Sequence, residues 1–360
     1  MTSATTLPLA KEPSSPRTVS QVLISGGTGF FGKALLRYLL GKSGRENNKA
    51  QIENAGRLAS SEVTIISRDP EAFLGQHPEY RELSFVRWVQ ADLTSPESEF
   101  IGALDKTIGT QSFSHILHAA TESTRGPQLS HSSQFNQIVK GTRSMLAAAK
   151  HFQARRFLLT SSGGVYGVMP SNLDAFPESH LGMPDPLDPR SAYSLGKRMS
   201  EHLCALAAND TGLEVVITRP FAFCGPDLPL DVHFAIGNFI RDALSKNEIL
   251  VRGDGSPIRS YLDQDDLAHW LMTMLFNGKP GQAYNIGSDQ GISIGDLAHK
   301  VRDLLAPNKP VVIQGTPNLA NLWQVYLPDI RKAKDELGLA PTVSLEDSIL
   351  KTARAHSLRP

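Results

Sequence analysis

The chain predicts an α/β fold: a doubly wound parallel sheet with a smaller C-terminal α/β lobe. Three observations carry that expectation. Short apolar runs alternate with longer helix-period stretches from Val22 to Pro220. The runs are apolar at successive positions, as in "VLIS", which suits strands buried on both faces. Beyond Pro220 the alternation loosens into helices and short strands, and the 360 residues suffice for one large domain with an appended lobe.

Taken in order, the strands are "VLISG" (22–26), "VTIIS" (63–67), "FVRWVQADL" (85–93), "HILHAA" (115–120), "RFLLTSS" (156–162) and "EVVITRP" (214–220). Helical stretches such as "FFGKALLRYLLG" and "NQIVKGTRSMLAAAKHF" separate them. The first twenty residues are rich in Pro, Ser and Thr and read as a flexible tail. Residues 42–61 are polar and read as a surface insertion between the first helix and the second strand. Residues 168–190 hold several prolines and must leave the sheet as an irregular excursion, either a functional lid or a passive insertion. The expected division is a tail (1–20), a dinucleotide-binding domain (21–220) and a mainly substrate-binding lobe (221–360) interleaved with it.

Composition excludes several functions. Lys+Arg and Asp+Glu balance at 36 each, so no electrostatic case exists for a nucleic-acid partner. Cys204 and Cys224 cannot make a disulfide framework, and no Cys/His cluster suggests a metal site. No apolar stretch approaches the roughly 20 residues that span a bilayer, so no membrane partner is expected. A reduced, cytoplasmic setting fits best.

"VLISGGTGFFGKALLRYLL" runs from a buried strand through a glycine turn into an amphipathic helix. Gly26, Gly27, Gly29 and Gly32 satisfy both common spacings of the dinucleotide (Rossmann) turn. Such glycines permit a tight turn, close approach of backbone to a pyrophosphate, and close helix–strand packing. The helix N-terminus then presents N–H groups to the phosphates. The second strand ends "IISRDP", placing Ser67 and Arg68 ahead of Asp69. A guanidinium there accommodates a 2′-phosphate, which favours NADP(H) over NAD(H). The alternative leaves Arg68 at the sheet edge and gives the ribose to Asp69. Asp92 is placed to meet the adenine edge or to cap the next helix. Ala119 and Ala120 are small enough for a cofactor to lie flat across the sheet.

Ser161 and Ser162 end the fifth strand, and "SAYSLGK" follows with Tyr193 and Lys197 four residues apart. On a helix those two side chains lie one turn apart on one face. A free Tyr, with its pKa near ~10, is a poor base at neutral pH. A nearby ammonium, together with a positive nicotinamide ring, lowers that pKa and lets Tyr193 exchange a proton with a sugar hydroxyl or ketone. Ser162 would orient the same oxygen.

These residues resemble the extended short-chain dehydrogenase/reductase family, in particular its nucleotide-sugar epimerases and dehydratases. The likeness runs from Val22 to about Pro341. It rests on "GGTGFFG", "ADL", "HAA", "TSSGGVYG", "YSLGK", "RPFAFCGP", "GDGSPIRSYLDQDDLA", "YNIGS" and "LPDIRKAKDELGL". It implies a catalytic set of Ser162, Tyr193 and Lys197. It also implies cofactor contacts from Thr28, Phe30, Phe31, Leu93 and Pro220, besides the glycines, Ser67, Arg68, Asp92, Ala119, Ala120, Tyr193 and Lys197. The substrate implied is a nucleotide-diphosphate sugar, met by Thr121, Ser162, Asn238 and Arg259, with Arg259 on the diphosphate. The alternatives are a structural Asn238 and a surface salt bridge at Arg259. A homodimer is the assembly the resemblance allows.

Departures from the family pattern narrow the chemistry. The family's 4,6-dehydratases carry an Asp-Glu pair after the catalytic hydroxyl, where this chain has Gly163 and Gly164. Ile138 and Ala222 stand where many members have Asn, which argues against direct transfer of UDP-galactose 4-epimerase specificity. The leading expectation is an epimerase-type oxidoreductase acting at hexose C4. An NADPH-dependent 4-keto-6-deoxy-sugar reductase stands nearly level with it, and a decarboxylase on a sugar acid is a further reading. A non-catalytic NADP-sensing scaffold is the alternative of another class. The complete Ser–Tyr–Lys set argues against it.

Overall fold

The computed structural model describes residues 21–41, 61–109, 111–121, 129–316 and 324–358; the expected tail and nearly all of the 42–61 insertion lie outside these. In chain order the first half contains β1 (Gln21–Ser25), α1 (Phe30–Leu39), β2 (Glu62–Ser67), α2 (Pro70–Gln76), β3 (Val86–Gln90), α3 (Glu97–Ile108), β4 (His115–His118), α4 (His131–His151) and β5 (Arg156–Thr160). Then come α5 (Ala192–Thr211), β6 (Glu214–Pro220), β7 (Phe223–Cys224), α6 (Ala235–Ser245), β8 (Ile249–Val251), β9 (Ile258–Arg259), β10 (Leu262–Asp263) and α7 (Gln264–Asn277). The chain closes with β11 (Gln282–Ile286), β12 (Ile292–Ser293), α8 (Ile294–Leu305), β13 (Val311–Ile313), β14 (Val325–Tyr326), α9 (Arg331–Leu337) and α10 (Leu345–Ser357).

Seven strands form one sheet in the order β11-β6-β5-β4-β1-β2-β3, every pair parallel. Side chains alternate between two cores, as strand geometry requires. Val22, Ile24, Val63, Ile65, Leu117, Leu158 and Val216 face one side with α1 and α7. Leu23, Ile66, Ile116, Phe157, Leu159 and Val215 face the other with α3, α4 and α5. Burial on both faces explains why the strands read as unbroken apolar runs. The strand order reverses direction between β1 and β4, and the crevice at the carboxyl ends there is where open α/β sheets take ligands.

Strand β11 and helix α7 follow Pro220, yet both complete the large sheet layer. "QAYNI" escapes a reading by hydrophobic period because its buried Asn285 is satisfied by Phe176 O, Asp329 O and the Tyr166 hydroxyl. The other C-terminal elements pack their own core from Ile236, Phe239, Ile240, Val251, Leu297, Val301 and Ile349. Gln264 at the head of α7 donates to Phe30 O (2.8 Å), and Arg37 of α1 pairs with Asp227, tying that lobe to the glycine turn. The proline-rich excursion is anchored midway. Phe176 N donates to Leu327 O (2.8 Å), and the Phe176 ring stacks on Tyr166 at 4.8 Å.

Candidate active site

The glycine turn is shaped by close packing on three sides. Gly26 has φ +81°, and a Cβ there would stand 2.5 Å from Ala120 N. A Cβ on Gly27 would meet Ile65 Cγ2 at 2.3 Å, and one on Gly32 would meet Gly27 C at 2.1 Å. Gly29 differs. Its Cβ position touches only Gly26 O, at 3.6 Å, so nothing within the chain demands a glycine there. No side chain accepts from the N-terminal N–H groups of α1, and no carboxylate lies in its first turn. Free N–H groups, the positive helix end and an uncrowded Gly29 fit a pyrophosphate-bearing dinucleotide.

A cavity of about 730 Å³ opens at this turn and runs across the strand ends to the C-terminal lobe. Of the residues singled out in the sequence, Gly26, Thr28, Gly29, Phe30, Phe31, Ser67, Arg68, Asp92, Leu93, Ala119, Ala120, Thr121, Ser162, Tyr193, Lys197, Pro220 and Arg259 line it. Gly27 and Gly32 lie behind the turn, where they serve packing. Asn238 does not line the cavity; its Oδ1 accepts from Arg241 Nη1 (3.0 Å) within α6.

At the β2 end, Asp69 caps α2 by accepting from Ala72 N (2.9 Å), whereas Ser67 and Arg68 face the cavity. Asp92 accepts from both Thr94 N and Thr94 Oγ1 (2.7 Å each) rather than capping α3. Burial opposes its charge, but those bonds and the Arg68 and Lys140 charges hold it below the usual carboxylate range.

Ser162 begins a 3₁₀ turn after β5, and its Oγ accepts from Gly164 N (3.0 Å). Tyr193, near the start of α5, lines the same cavity as Ser162. Burial raises Tyr193 above its ordinary value and the Ser162 hydroxyl works against that rise. One helical turn on, Lys197 Nζ donates to Thr121 Oγ1 (2.6 Å) and Thr160 O (2.7 Å). Burial lowers Lys197 to about 7, with Glu201 and Cys204 acting in the opposite sense. Thr121, expected at the substrate, lines the cavity and its Oγ1 accepts from Lys197.

At the far end, Arg259 Nη1 donates to Ile258 O (2.8 Å) and Gln324 O (2.7 Å), with its guanidinium 5.7 Å from the Tyr326 ring centroid. Among the described residues no carboxylate pairs with it, so the salt-bridge alternative falls away. Burial lowers Arg259 from its ordinary value.

Sequence reading missed two contributors. Tyr326 of β14 lines the cavity, with its hydroxyl 2.6 Å from where a Cβ on Gly163 would stand. A two-residue strand offers no pattern that would have flagged it. His118, beneath the floor, bonds Ser25 Oγ through Nδ1 (2.7 Å) and lies 3.4 Å from Thr142 Oγ1 through Nε2. Burial, helped by Lys197, lowers it to about 3, so it stays neutral. Thr142 reaches Ser200 of α5 (2.8 Å), linking the base of the glycine turn to the helix that carries Tyr193 and Lys197.

A parallel sheet in this order, with a glycine turn and a Ser–Tyr–Lys set at its carboxyl edge, defines an enzyme scaffold of the extended short-chain dehydrogenase/reductase class. Residues 22–287 match the NAD dependent epimerase/dehydratase family, and the chain belongs to that family. It is 30% identical over 339 residues to UDP-glucuronic acid decarboxylase 3 of Arabidopsis thaliana, covering 91% of this chain and 86% of that protein. It is 34% identical over 211 residues to UDP-glucuronic acid decarboxylase 1 of the same plant, covering 59% of this chain and 47% of the relative. The match thus spans about half the length of that relative. Among solved structures, the UDP-glucose 4-epimerase of Thermotoga maritima with UDP-glucose superimposes with a TM-score of 0.74 at 19% identity, covering 94% of this chain and 98% of that one. This last likeness concerns the fold. Among the described residues, no helix is long and apolar enough to cross a membrane and no cluster of side chains could hold a metal ion.

Proposed function

We propose that the chain is an NADP(H)-preferring, epimerase-type oxidoreductase that acts at C4 of the hexose in a nucleotide-diphosphate sugar. The observation that carries this reading is the convergence of Ser162, Tyr193 and Lys197, the last two one helical turn apart, in the same cavity as the glycine turn. In this reading Gly26, Gly29, the first turn of α1, Asp92, Ala119, Ala120 and Pro220 hold the dinucleotide. Ser67 and Arg68 meet its 2′-phosphate. A bound nicotinamide ring supplies hydride exchange. Tyr193 takes the proton from the C4 oxygen as it is oxidised and returns it on reduction, while Ser162 orients that oxygen. Arg259, which has no carboxylate partner among the described residues, binds the diphosphate. The elements after Pro220, apart from β11 and α7, serve as the substrate lobe. A cytoplasmic setting goes with this reading.

The cofactor preference rests on Asp69 being spent as a helix cap while Arg68 faces the cavity. That same feature favours the second reading, a reductase that consumes NADPH on a 4-keto-6-deoxy sugar. Three measurements test the set. Denaturing the purified protein and identifying any released dinucleotide reads the cofactor directly. Calorimetry on Arg68→Ala should show NADP(H) weakened by about 1.5–3 kcal/mol with NAD(H) barely changed; a wild type that prefers NAD(H) defeats the assignment. Nucleotide sugars are then followed by proton NMR together with reduced-cofactor absorbance. C4 epimers interconverting without net cofactor use, and silenced by Tyr193→Phe, support the epimerase. Steady NADPH loss on the 4-keto sugar supports the reductase, and loss of carbon dioxide from a nucleotide uronate supports the chemistry named in the plant relatives. Absence of turnover on every sugar, with dinucleotide still bound, sinks all three and leaves a sensor.

A further inference from the structure

Gln264, at the head of α7, is wholly buried, and both ends of its amide are in use. Nε2 donates to Phe30 O (2.8 Å) and to Asp227 Oδ2 (3.1 Å), while Oε1 accepts from Asp227 N (3.1 Å). A side-chain amide has two protons and one accepting oxygen, and these partners admit a single orientation. Turned over, the oxygen would face a carbonyl and a carboxylate, and the NH2 group would face an N–H. The surroundings are closely fitted. A Cβ on Gly225 would lie 2.3 Å from Gln264 Cβ and 2.7 Å from its Oε1. Asp227 is held in turn by Arg37 and Lys33 of α1, the latter with Nζ at 3.8 Å. The bond to Phe30 is surplus to helix formation, since helix geometry already has that carbonyl accept from the N–H four residues on.

We propose that Gln264 is a positioning residue for the bound dinucleotide: its bond to Phe30 O fixes and polarises the Phe30–Phe31 peptide, whose N–H meets the pyrophosphate. The inference rests on the reading of the first turn of α1 as the pyrophosphate site. The carbonyl of Phe30 and the N–H of Phe31 belong to one planar unit, so holding one end holds the other. Helix geometry gives the Phe31 N–H no partner inside α1, because the first intrahelical bond runs from Lys33 N to Gly29 O (2.8 Å). A donor on the carbonyl draws electron density from the peptide nitrogen and makes that N–H a stronger donor to an anion.

The flanking rings are held as well. Phe30 and Phe31 stand 6.3 Å and 5.3 Å from Phe223 by centroids. The peptide is thus fixed by α7 on its carbonyl side and by β7 on its side chains before any ligand arrives. A donor fixed in advance loses less freedom on binding.

Phe30–Phe31 is the one place in the sequence where two phenylalanines adjoin. A full chain isotope-labelled at the carbonyl carbons and amide nitrogens of phenylalanine therefore gives a single carbonyl-linked NMR signal, that of the Phe31 N–H. Gln264→Met keeps the length of the side chain and removes its donors. Asp227 keeps Arg37 and Lys33, so the fold should persist, as circular dichroism verifies. Should it not, Gln264→Asn carries the same comparison, leaving an amide beside Asp227 that is one methylene too short to reach Phe30 as well. The expected result is an upfield move of the Phe31 nitrogen, with NADP+ weakened about 3- to 10-fold by calorimetry, the net worth of one hydrogen bond. Adenosine 2′-monophosphate, which carries the adenine end without the pyrophosphate, should bind wild type and variant alike. A Phe31 signal unmoved by the substitution, or undiminished NADP+ binding, overturns the proposal. So does equal weakening of both probes, which marks a general loosening of the cavity. Failure of the underlying reading looks different: NADP+ binds the wild type, yet the Phe31 signal stays where it was.

Discussion

Lys197 is a buried cation whose ammonium is held by neutral oxygens. Burial lowers it to about 7 from an ordinary 10.5, and its partners are two neutral oxygens. The folded chain releases this proton at a lower pH than the unfolded chain does. Between about pH 7 and pH 10 the unfolded state thus holds more protons, and stability from this group rises with pH. Below pH 7 both states are charged and the full cost of burying the ammonium remains. We expect the thermal stability of the wild type, compared with Lys197→Met, to improve across that window by about 1 kcal/mol per pH unit. Parallel stability–pH curves for the two proteins would refute this. The same variant should lose dinucleotide affinity. Ser162, Tyr193 and Lys197 were legible because a four-residue spacing on a helix fixes which side chains share a face. Where the Lys197 ammonium points was not legible: Thr121 and Thr160 reach it from the ends of other strands.

The glycine turn with α1 shows how one motif divides its labour between folding and binding. Gly32 and Gly27 are required by the chain itself, since the Cβ position of the former lies 2.1 Å from the carbonyl carbon of the latter. Gly29 is not required in that way, and its φ of −84° is open to any residue. Gly32→Ala should therefore cost about 2–4 kcal/mol of stability through overpacking against rigid backbone. Gly29→Ala should fold with near wild-type stability and lose dinucleotide affinity, because the added methyl occupies the approach to the N–H groups of α1. Chemical denaturation and calorimetric titration on both variants check the pair. A destabilised Gly29→Ala that still binds would reverse the assignment. Five of the six strands from Val22 to Pro220 were readable because they are buried on both faces, and the edge strand β3, with Arg87 and Gln90 exposed, was readable from Val86, Trp88 and Val89. The seventh, β11, was not, because Asn285 sits in its core on hydrogen bonds made by a distant loop.

At the scale of the molecule, the site is a meeting of distant segments. The glycine turn comes from the start of the chain, Ser162 from the middle, and Arg259 and Tyr326 from β9 and β14, which pair side by side. This convergence bears on dehydration, the reaction the two glycines were expected to forbid. Losing water across C5 and C6 of a 4-keto hexose needs a base for the C5 hydrogen and an acid for the C6 hydroxyl. Gly163 and Gly164 carry neither, and a side chain at either position would have to displace a neighbour: the Cβ positions lie 2.6 Å from the Tyr326 hydroxyl and 2.6 Å from Ser194 Oγ. Neighbouring substitutes are committed elsewhere. Tyr166 donates to Asn285 Oδ1 (2.8 Å) and burial pushes it up to about 12. Glu178 accepts from Asn285 N (2.9 Å), and neither it nor His180 lines the cavity. Incubation with a nucleotide-diphosphate glucose should accordingly yield no 4-keto-6-deoxy sugar by proton NMR, whichever dinucleotide is supplied. Appearance of that product in proportion to enzyme would mean that Tyr326 or another cavity hydroxyl serves as acid and base, and the exclusion drawn from the two glycines would be lost.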